Sequence, residues 1–448
     1  MLDFWVLVLA FGASLVLSTI AMARPEWFFN QERMISDLSA KQAQHTRPTP
    51  RVGGAAVIIA VVLAGTLVVD QLGRDLIWAL LAGVIVFAVG LREDIMRDVS
   101  PKTRLLAAFA AAAAAVALTG QTVPGLGVGQ IDYLFGWIGV GLLVTLLWSA
   151  GSCHALNLID GLNGLASGYT ICAAFGFWVI AGHTGDRDIQ IVAGILIAAL
   201  LGFFVLNWPL GRIFMGDAGA YAIGHTLAWL GILLMARNPE VAGFAMLLIM
   251  FWPVGDTAFS MIRRRLRRKA TEQPDRLHFH HLVVRALPLV LSRGLRRARD
   301  NSVATVIMVP FFAAPVIAGV WFWDEGVEAA FLLLFFTMLF MSTYAFSMDY
   351  FSSRRFRRRT GWGAVQVPDM AGEVELSRLS CNYVQEATAV DVRIQRARPD
   401  ASWTLVTSAA GMSDLQWDGA FETDMEAWQM FLSVAKDQGM RAVMGQSD

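Results

Sequence analysis

Side chains able to do chemistry collect at a few points of this chain. Glu93, Asp94 and Asp98 follow one apolar run, and Asn157 and Asp160 follow another. Asp217 follows a third, and Asp256 stands near the end of a fourth, with His278, His280 and His281 in the loop after it. Two segments add glycines to side-chain oxygens where a helix would open, Asn157-Leu-Ile-Asp160-Gly-Leu-Asn-Gly164 and Ile213-Phe-Met-Gly216-Asp217-Ala-Gly219. Glycine permits close backbone approach, and a helix N-terminus favours an anion. Carboxylates that could hold Mg²⁺, beside clustered histidines, suit the handling of a phosphate or pyrophosphate. Taken singly, Asp98 and Asp256 read as solvated helix caps. The Arg263–Lys269 run reads as an anchor to anionic lipid. His183 and His225 have no acidic or histidine neighbour in sequence and read as structural.

The elements that must position these groups are membrane spans. Apolar residues make up 56% of the 448 and charged residues only 16%, against roughly 25% in soluble proteins. Mean hydropathy is +0.53. Disorder is excluded by this composition. Cys153, Cys172 and Cys381 match no disulfide or metal spacing. Uncharged apolar runs predict eleven spans: Phe4–Ala23, Val52–Val69, Leu76–Leu91, Leu105–Thr119, Leu134–Ala150, Gly164–Ala181, Ile189–Leu206, Ala218–Ala236, Val241–Ser260, Ser302–Phe322 and Val327–Ser347. Loops 24–51, 92–104, 151–163, 207–217, 261–301 and 348–360 carry 27 Lys+Arg. The alternate loops carry only Arg74, Arg187 and Arg237. The positive-inside rule makes the first set cytoplasmic. The N-terminus is then outside and the C-terminus cytoplasmic. All the unusual polar residues fall on the cytoplasmic face, which points to one site.

The expected fold is therefore an all-α polytopic membrane protein of about eleven transmembrane helices with a small α+β cytosolic C-terminal domain. Residues 1–350 form the membrane domain, 351–360 a basic juxtamembrane linker and 361–448 an acidic appendage. In the appendage Val390, Val392 and Ile394 alternate with polar residues as in a half-buried strand, and Trp403–Thr407 reads as another. Thr423-Asp-Met-Glu426 is a capping box, opening a helix with Trp428, Phe431, Leu432 and Ala435 on one face and Gly439 as its stop. Residues 1–360 carry a balance of +7 and residues 361–448 one of −7, so the net charge of zero hides an asymmetry.

Taken in order, the motifs resemble those of the polyprenyl-phosphate N-acetylhexosamine-1-phosphate transferases. They are Thr49-Pro-Arg-Val-Gly-Gly54, Gly90-Leu-Arg-Glu93-Asp94, Val99-Ser-Pro-Lys102-Thr-Arg104, the Asn157–Gly164 segment, Asn207-Trp-Pro, the Ile213–Gly219 segment and Asp275-Arg-Leu-His278-Phe-His280-His281. The resemblance covers roughly residues 1–347. It implies an enzyme of the bacterial inner membrane with its active site facing the cytoplasm. A UDP-N-acetylhexosamine would donate its sugar-1-phosphate to undecaprenyl phosphate, releasing UMP. The cofactor implied is Mg²⁺, with Mn²⁺ as the alternative. No nucleic acid is implied, and a homodimer is left open.

Roles follow the resemblance position by position. Asp217 is the implied metal ligand and Asn157 joins it or binds the nucleotide. Glu93 and Asp94 fall on the family's aspartate pair, and Asp160 on a carboxylate near nucleotide and metal; these three are the implied catalytic groups. Lys102 and Arg104 would meet phosphate. His278, His280 and His281 would close over the diphosphate and sugar. Glu93 and Asn163 stand where the family usually has Asp, and the Asn163 amide cannot act as a base. Leu282 and Val283 after the histidines resemble the GlcNAc-1-phosphate branch, which starts O-antigen, teichoic acid or capsule chains, rather than the phospho-MurNAc-pentapeptide transferases. The rival readings are a transporter and an inactive membrane scaffold.

Overall fold

The computed structural model describes residues 4–24, 49–266, 278–290 and 297–352, and in the C-terminal part 375–377, 379–385, 388–396, 402–409, 415–417 and 420–437. Asp275–Leu277, the Arg267–Lys269 end of the basic run, linker residues 353–360 and Gly439 lie outside them. The chain divides into two compact units, Met1–Phe351 and Ser352–Asp448.

Every regular element described in the first unit is a helix. Its helices are α1 Phe4–Ala23, α2 Gly53–Thr66, α3 Arg74–Ala82, α4 Val84–Met96, α5 Pro101–Thr119, α6 Ile138–Ile159, α7 Leu165–Thr184, α8 Arg187–Asn207, α9 Gly216–Arg237, α10 Gly243–Ile249, α11 Phe251–Leu266, α12 Phe279–Val290, α13 Arg297–Trp321 and α14 Gly326–Ser352. Short helical turns at Val69–Gln71 and Gly129–Gly136 stay unlabelled. In lipid every backbone polar group must be satisfied within the chain, and apolar helices do this. Among the described residues nine helices are long and apolar enough to cross a membrane, taking α3 and α4 together, or up to ten with the bent pair α10–α11.

The eleven apolar runs all fall on helical segments; Leu76–Leu91 is interrupted at Gly83 between α3 and α4, and two others differ more from a simple span. α2 has only 14 residues, about 21 Å of helix against a hydrocarbon core of about 30 Å. The run Val241–Ser260 is two helices meeting at 82°. The bend has a local cause. Pro253 has no N–H to give the carbonyl of Ile249. That oxygen instead accepts from the Tyr169 hydroxyl of α7 at 3.1 Å.

α9 is the axis of the unit. Its span is wholly buried, packed against α2, α4 and α6. Small residues let these helices approach: a Cβ on Gly54 would lie 2.3 Å from the Cα of Gly219. At mid-span a polar chain crosses three helices. His225 Nε2 lies 2.9 Å from the Ala79 carbonyl, which only accepts, so this nitrogen carries the hydrogen. Nδ1 is then the acceptor, and the Ser149 hydroxyl donates to it at 3.2 Å. Ser149 in turn accepts from the Trp229 indole N–H at 3.2 Å. Ala79 needs this donor because Gly83 N–H, its regular helical partner, bonds Leu80 O at the α3–α4 break. His225 is structural, as expected.

The end of α9 remote from Asp217 is fastened by charge. Arg237 binds Asp75 at 2.6 Å, Asp186 at 2.8 Å and Asp188 at 2.8 Å. Burial pushes the Asp186 carboxyl up to about 6; its hydrogen bond with Asp188 adds to this and Arg237 opposes it. A carboxyl raised above its unfolded value stabilises fully below that value and loses the contribution as pH rises through about 6. The melting temperature of the wild type should therefore rise relative to Asp186→Asn as pH falls from about 7 to about 5. A difference that does not vary with pH would refute this.

Among the described residues the second unit has a five-stranded antiparallel sheet and one helix. Its strands are β1 Glu375–Leu376, β2 Cys381–Gln385, β3 Thr388–Arg396, β4 Thr404–Ala409 and β5 Leu415–Gln416, and its helix is α15 Asp424–Asp437. β1 and β2 pair with successive stretches of β3, and β4 and β5 follow. Val390, Val392, Ile394 and Leu405 form a core with Ala427, Phe431 and Ala435. The capping box forms as read: Glu426 N–H donates to Thr423 Oγ1 at 3.2 Å and Glu426 Oε2 accepts from Thr423 N–H at 3.4 Å.

Candidate active site

The polar groups meet where α4 and α6 end and α2, α5 and α9 begin. α4 ends on Arg97, whose φ of 57° is left-handed. Val99 N–H then donates to Glu93 Oε2 at 3.0 Å, folding the loop back on the helix. Ser100 caps α5, accepting from Thr103 N–H at 3.1 Å, with Pro101 in the first turn. Arg104 is thereby aimed inward. Lys102, two residues earlier and so on the opposite face of α5, is exposed.

A cavity of about 260 Å³ is lined by Arg51, Glu93, Asp94, Arg97, Arg104, Asn157 and Asp217. Three guanidinium groups thus face three carboxylates and one amide. Asp217 is 5% exposed. Its Oδ2 accepts from Arg104 Nη1 at 2.7 Å and its Oδ1 from Asn157 Nδ2 at 2.8 Å. Glu93 Oε1 stands 3.8 Å from the same Arg104 nitrogen.

Asp94 does something else. Its Oδ1 accepts from Asp217 N–H and its Oδ2 from Ala218 N–H, both at 2.8 Å. Asp160 Oδ2 takes the preceding N–H, that of Gly216, at 3.2 Å. The first amides of α9, read above as ready for a ligand anion, are thus filled by the protein's own carboxylates. The positive end of the helix stabilises those charges and holds Asp217 in place. Burial pushes the Asp160 carboxyl up to about 7, opposed by Arg51 and the Gly216 amide.

Gly216 permits this crowding. Its φ is +77°, and a Cβ there would lie 1.9 Å from Arg51 O and 2.8 Å from Asp94 Oδ2. Gly216→Ala should therefore lower the melting temperature and remove activity together. A variant that melts and turns over like the wild type would overturn this account of the loop.

The histidines lie beside Asp160. A Cβ on Gly161 would be 3.1 Å from His280 Nε2 and 3.7 Å from His281 Cε1. His278, His280 and His281 are all buried. His280 has no hydrogen-bond partner at either ring nitrogen among the described residues. Burial and the neighbouring His281 and His278 hold it well below the ordinary imidazole range, so it is neutral. His278 Nδ1 lies 3.0 Å from Asp256 Oδ2.

Glu93, Asp94, Arg104, Asn157 and Asp217 therefore share one cavity. Asp160 stands behind it, the histidines are beside Asp160, and Lys102 is outside. Asn163 is a loop support: Thr305 Oγ1 donates to its backbone carbonyl at 2.7 Å and its side-chain Nδ2 reaches Ser302 Oγ at 3.5 Å. Arg51, Arg97 and Asp256 were given no site role on sequence. Arg51 lay in a quoted motif and Arg97 in the same basic loop as Arg104, which is the signal that was there to use. Asp256 is a correction. It is not a solvated cap but 1% exposed, because it faces the histidine segment rather than water. Arg263 is a second correction: it is buried, with its guanidinium 5.9 Å and 5.4 Å from the Phe259 and Tyr344 ring centres, rather than on the lipid surface. Asp98 is exposed and paired with Arg92 at 2.8 Å, as a surface residue should be.

Fold and site together define a polytopic helical membrane protein with a charge-lined polar cavity at one end of its bundle. Residues 76–235 match the family glycosyl transferase family 4. A Bacillus subtilis (strain 168) protein named "Probable undecaprenyl-phosphate N-acetylglucosaminyl 1-phosphate transferase" is 29% identical over 69% of this chain and 83% of its own. The undecaprenyl-phosphate alpha-N-acetylglucosaminyl 1-phosphate transferases of Yersinia pestis and Escherichia coli (strain K12) are 33% and 31% identical, each over 54% of this chain and 67% of theirs. The chain belongs to glycosyl transferase family 4.

Proposed function

We propose that the protein transfers N-acetylhexosamine-1-phosphate, GlcNAc-1-phosphate above all, from a UDP-sugar to undecaprenyl phosphate. An oxygen of the lipid phosphate attacks the sugar-proximal phosphorus, the bond from that phosphorus to UMP breaks, and UMP leaves. The observation that carries the reading is the cavity in which Arg51, Arg97 and Arg104 meet Glu93, Asp94, Asp217 and Asn157, in a chain whose relatives bear transferase names. Two anionic substrates must be brought together, so neutralising charge is the main task. Guanidinium groups suit this because they bind phosphate oxygens in a planar fork. The site opens to the cytoplasm on the charge argument above.

Among the described residues no three His, Cys, Asp or Glu side chains converge as a metal cluster. Mg²⁺ needs less from a protein, one or two carboxylates with phosphate and water supplying the rest. The donors present suit it: Asp217 and Glu93 are hard oxygen ligands lining one cavity. Asn157 would join them by turning its amide over, since Nδ2 now faces Asp217. When bound, Mg²⁺ would offset the charge of the diphosphate. Arg104, which now faces Asp217, would be free to meet a phosphate oxygen. Asp94 and Asp160 hold the α9 terminus and so fix the position of Asp217. An apolar cavity of about 550 Å³, lined by Leu247, Phe251, Phe259, Leu333 and Phe340 with Arg263 among them, would take part of the isoprenoid chain.

The test is UMP release by purified protein with undecaprenyl phosphate, Mg²⁺ and a panel of UDP-sugars that includes UDP-MurNAc-pentapeptide. UDP-GlcNAc is expected to react fastest. No UMP from any donor, or nucleotide-sugar flux into proteoliposomes without UMP, would sink the reading.

A further inference from the structure

We propose that Asp256 is the positioning residue of the histidine segment, setting the tautomer of His278 through its carboxylate. The inference deepens the transferase reading and rests on it.

A carboxylate out of water must have its oxygens satisfied, or it destabilises the fold. Asp256 on α11 is 1% exposed. Its Oδ1 accepts from Phe279 N–H at 3.2 Å and its Oδ2 from His278 Nδ1 at 3.0 Å. Both oxygens are thus engaged by adjacent residues of one segment, more than 20 positions away in sequence. Ser260, one turn further along α11, reaches the same His278 nitrogen at 3.4 Å.

The chemistry follows from the acceptor. An ionised carboxylate only accepts, so Nδ1 of His278 must carry the hydrogen. The other ring nitrogen, Nε2, is left as an acceptor in the neutral ring and a donor in the charged one. A carboxylate hydrogen-bonded to one ring nitrogen of a histidine fixes ring orientation and tautomer in this way. Phe279 is pinned independently. Its ring packs against Trp252, Phe311 and Phe340 with centres 5.2, 5.2 and 5.6 Å apart. Two successive residues are therefore tied down, one by charge and one by packing. His280 and His281 then come to rest against Gly161, next to Asp160.

Asp256→Asn is the informative variant. The amide keeps the shape and can still accept from Phe279 N–H. Its NH₂ must donate to His278 Nδ1, which moves the ring hydrogen to Nε2. The melting temperature should stay within about 2 °C of wild type. The kcat should fall by about 10- to 100-fold with KM for the UDP-sugar little changed. Nitrogen NMR of ¹⁵N-histidine-labelled protein, with His278→Gln identifying the signal, should show the Nδ1–H form in wild type and the Nε2–H form in Asp256→Asn. The double variant Asp256→Asn/His278→Gln should be no slower than His278→Gln alone. An unchanged nitrogen signature, an unchanged kcat, or additive losses in the double variant would overturn the proposal. If the wild type releases no UMP, the transferase reading fails. The NMR comparison still decides whether Asp256 sets the tautomer.

Discussion

Asp217→Ala is expected to reduce UMP release by at least about 1,000-fold while leaving the protein folded. The two halves of this expectation have separate causes. Asp217 takes the Arg104 guanidinium at 2.7 Å and the Asn157 amide at 2.8 Å. Its side chain is thus the point on which the cavity's charge balance turns. Its removal leaves Arg104 with Glu93 as the nearby carboxylate, and it deletes the group proposed to hold Mg²⁺. The start of α9, however, is capped by Asp94 and Asp160 acting on backbone amides. No side-chain atom of Asp217 takes part in that cap. The measurements are UMP release, melting temperature and binding of paramagnetic Mn²⁺. Retained turnover with ordinary Mn²⁺ binding would remove Asp217 from the chemistry.

Arg237→Met should act at the opposite end of the same helix, and on stability. Three carboxylates, Asp75, Asp186 and Asp188, surround this guanidinium within 2.8 Å. Removing the cation leaves them repelling one another in a half-buried place. Breaking a buried pair costs about 3–5 kcal/mol, and this cluster is partly open, so about 3 kcal/mol is expected. The readouts are melting temperature and folded yield. Adding Asp75→Asn and Asp188→Asn to Arg237→Met should restore part of the loss, because the excess negative charge goes. If Arg237→Met melts with the wild type, the cluster is not a fastening.

Hydropathy was enough to place the eleven helical segments, since in lipid composition alone selects helix. It could not see that α2 is short or that Val241–Ser260 is bent. Both depend on where backbone hydrogen bonds stop: at the bend Pro253 withholds its N–H, and Tyr169, eighty residues from Ile249, satisfies the carbonyl left over. Loop charge and motif order brought out Asp217, Asn157, Glu93, Asp94 and Arg104. The work of Asp94 was not legible, because its partners are backbone amides of a distant helix. Asp256 was misread for a like reason: a carboxylate near a helix end looks solvated until the segment covering it is known. In the C-terminal unit the long strand, its partner and the capped helix were legible by alternation and spacing. The two-residue strands β1 and β5 were not, being too short to show a period.

The complete burial of α9 bears on which substitutions the family can accept. A helix with one face toward lipid can exchange apolar residues there at little cost. α9 has no such face, since its whole span is interior. Nearly every position on it is constrained by a neighbour, from the cavity at Asp217 to the half-buried cluster at Arg237. Substitution is therefore expected to be tolerated best on outer helices such as α1 and α14, where Trp5, Phe331 and Phe346 are exposed. A saturation-mutagenesis profile would register α9 as a continuous intolerant stripe without the helical period that marks its neighbours.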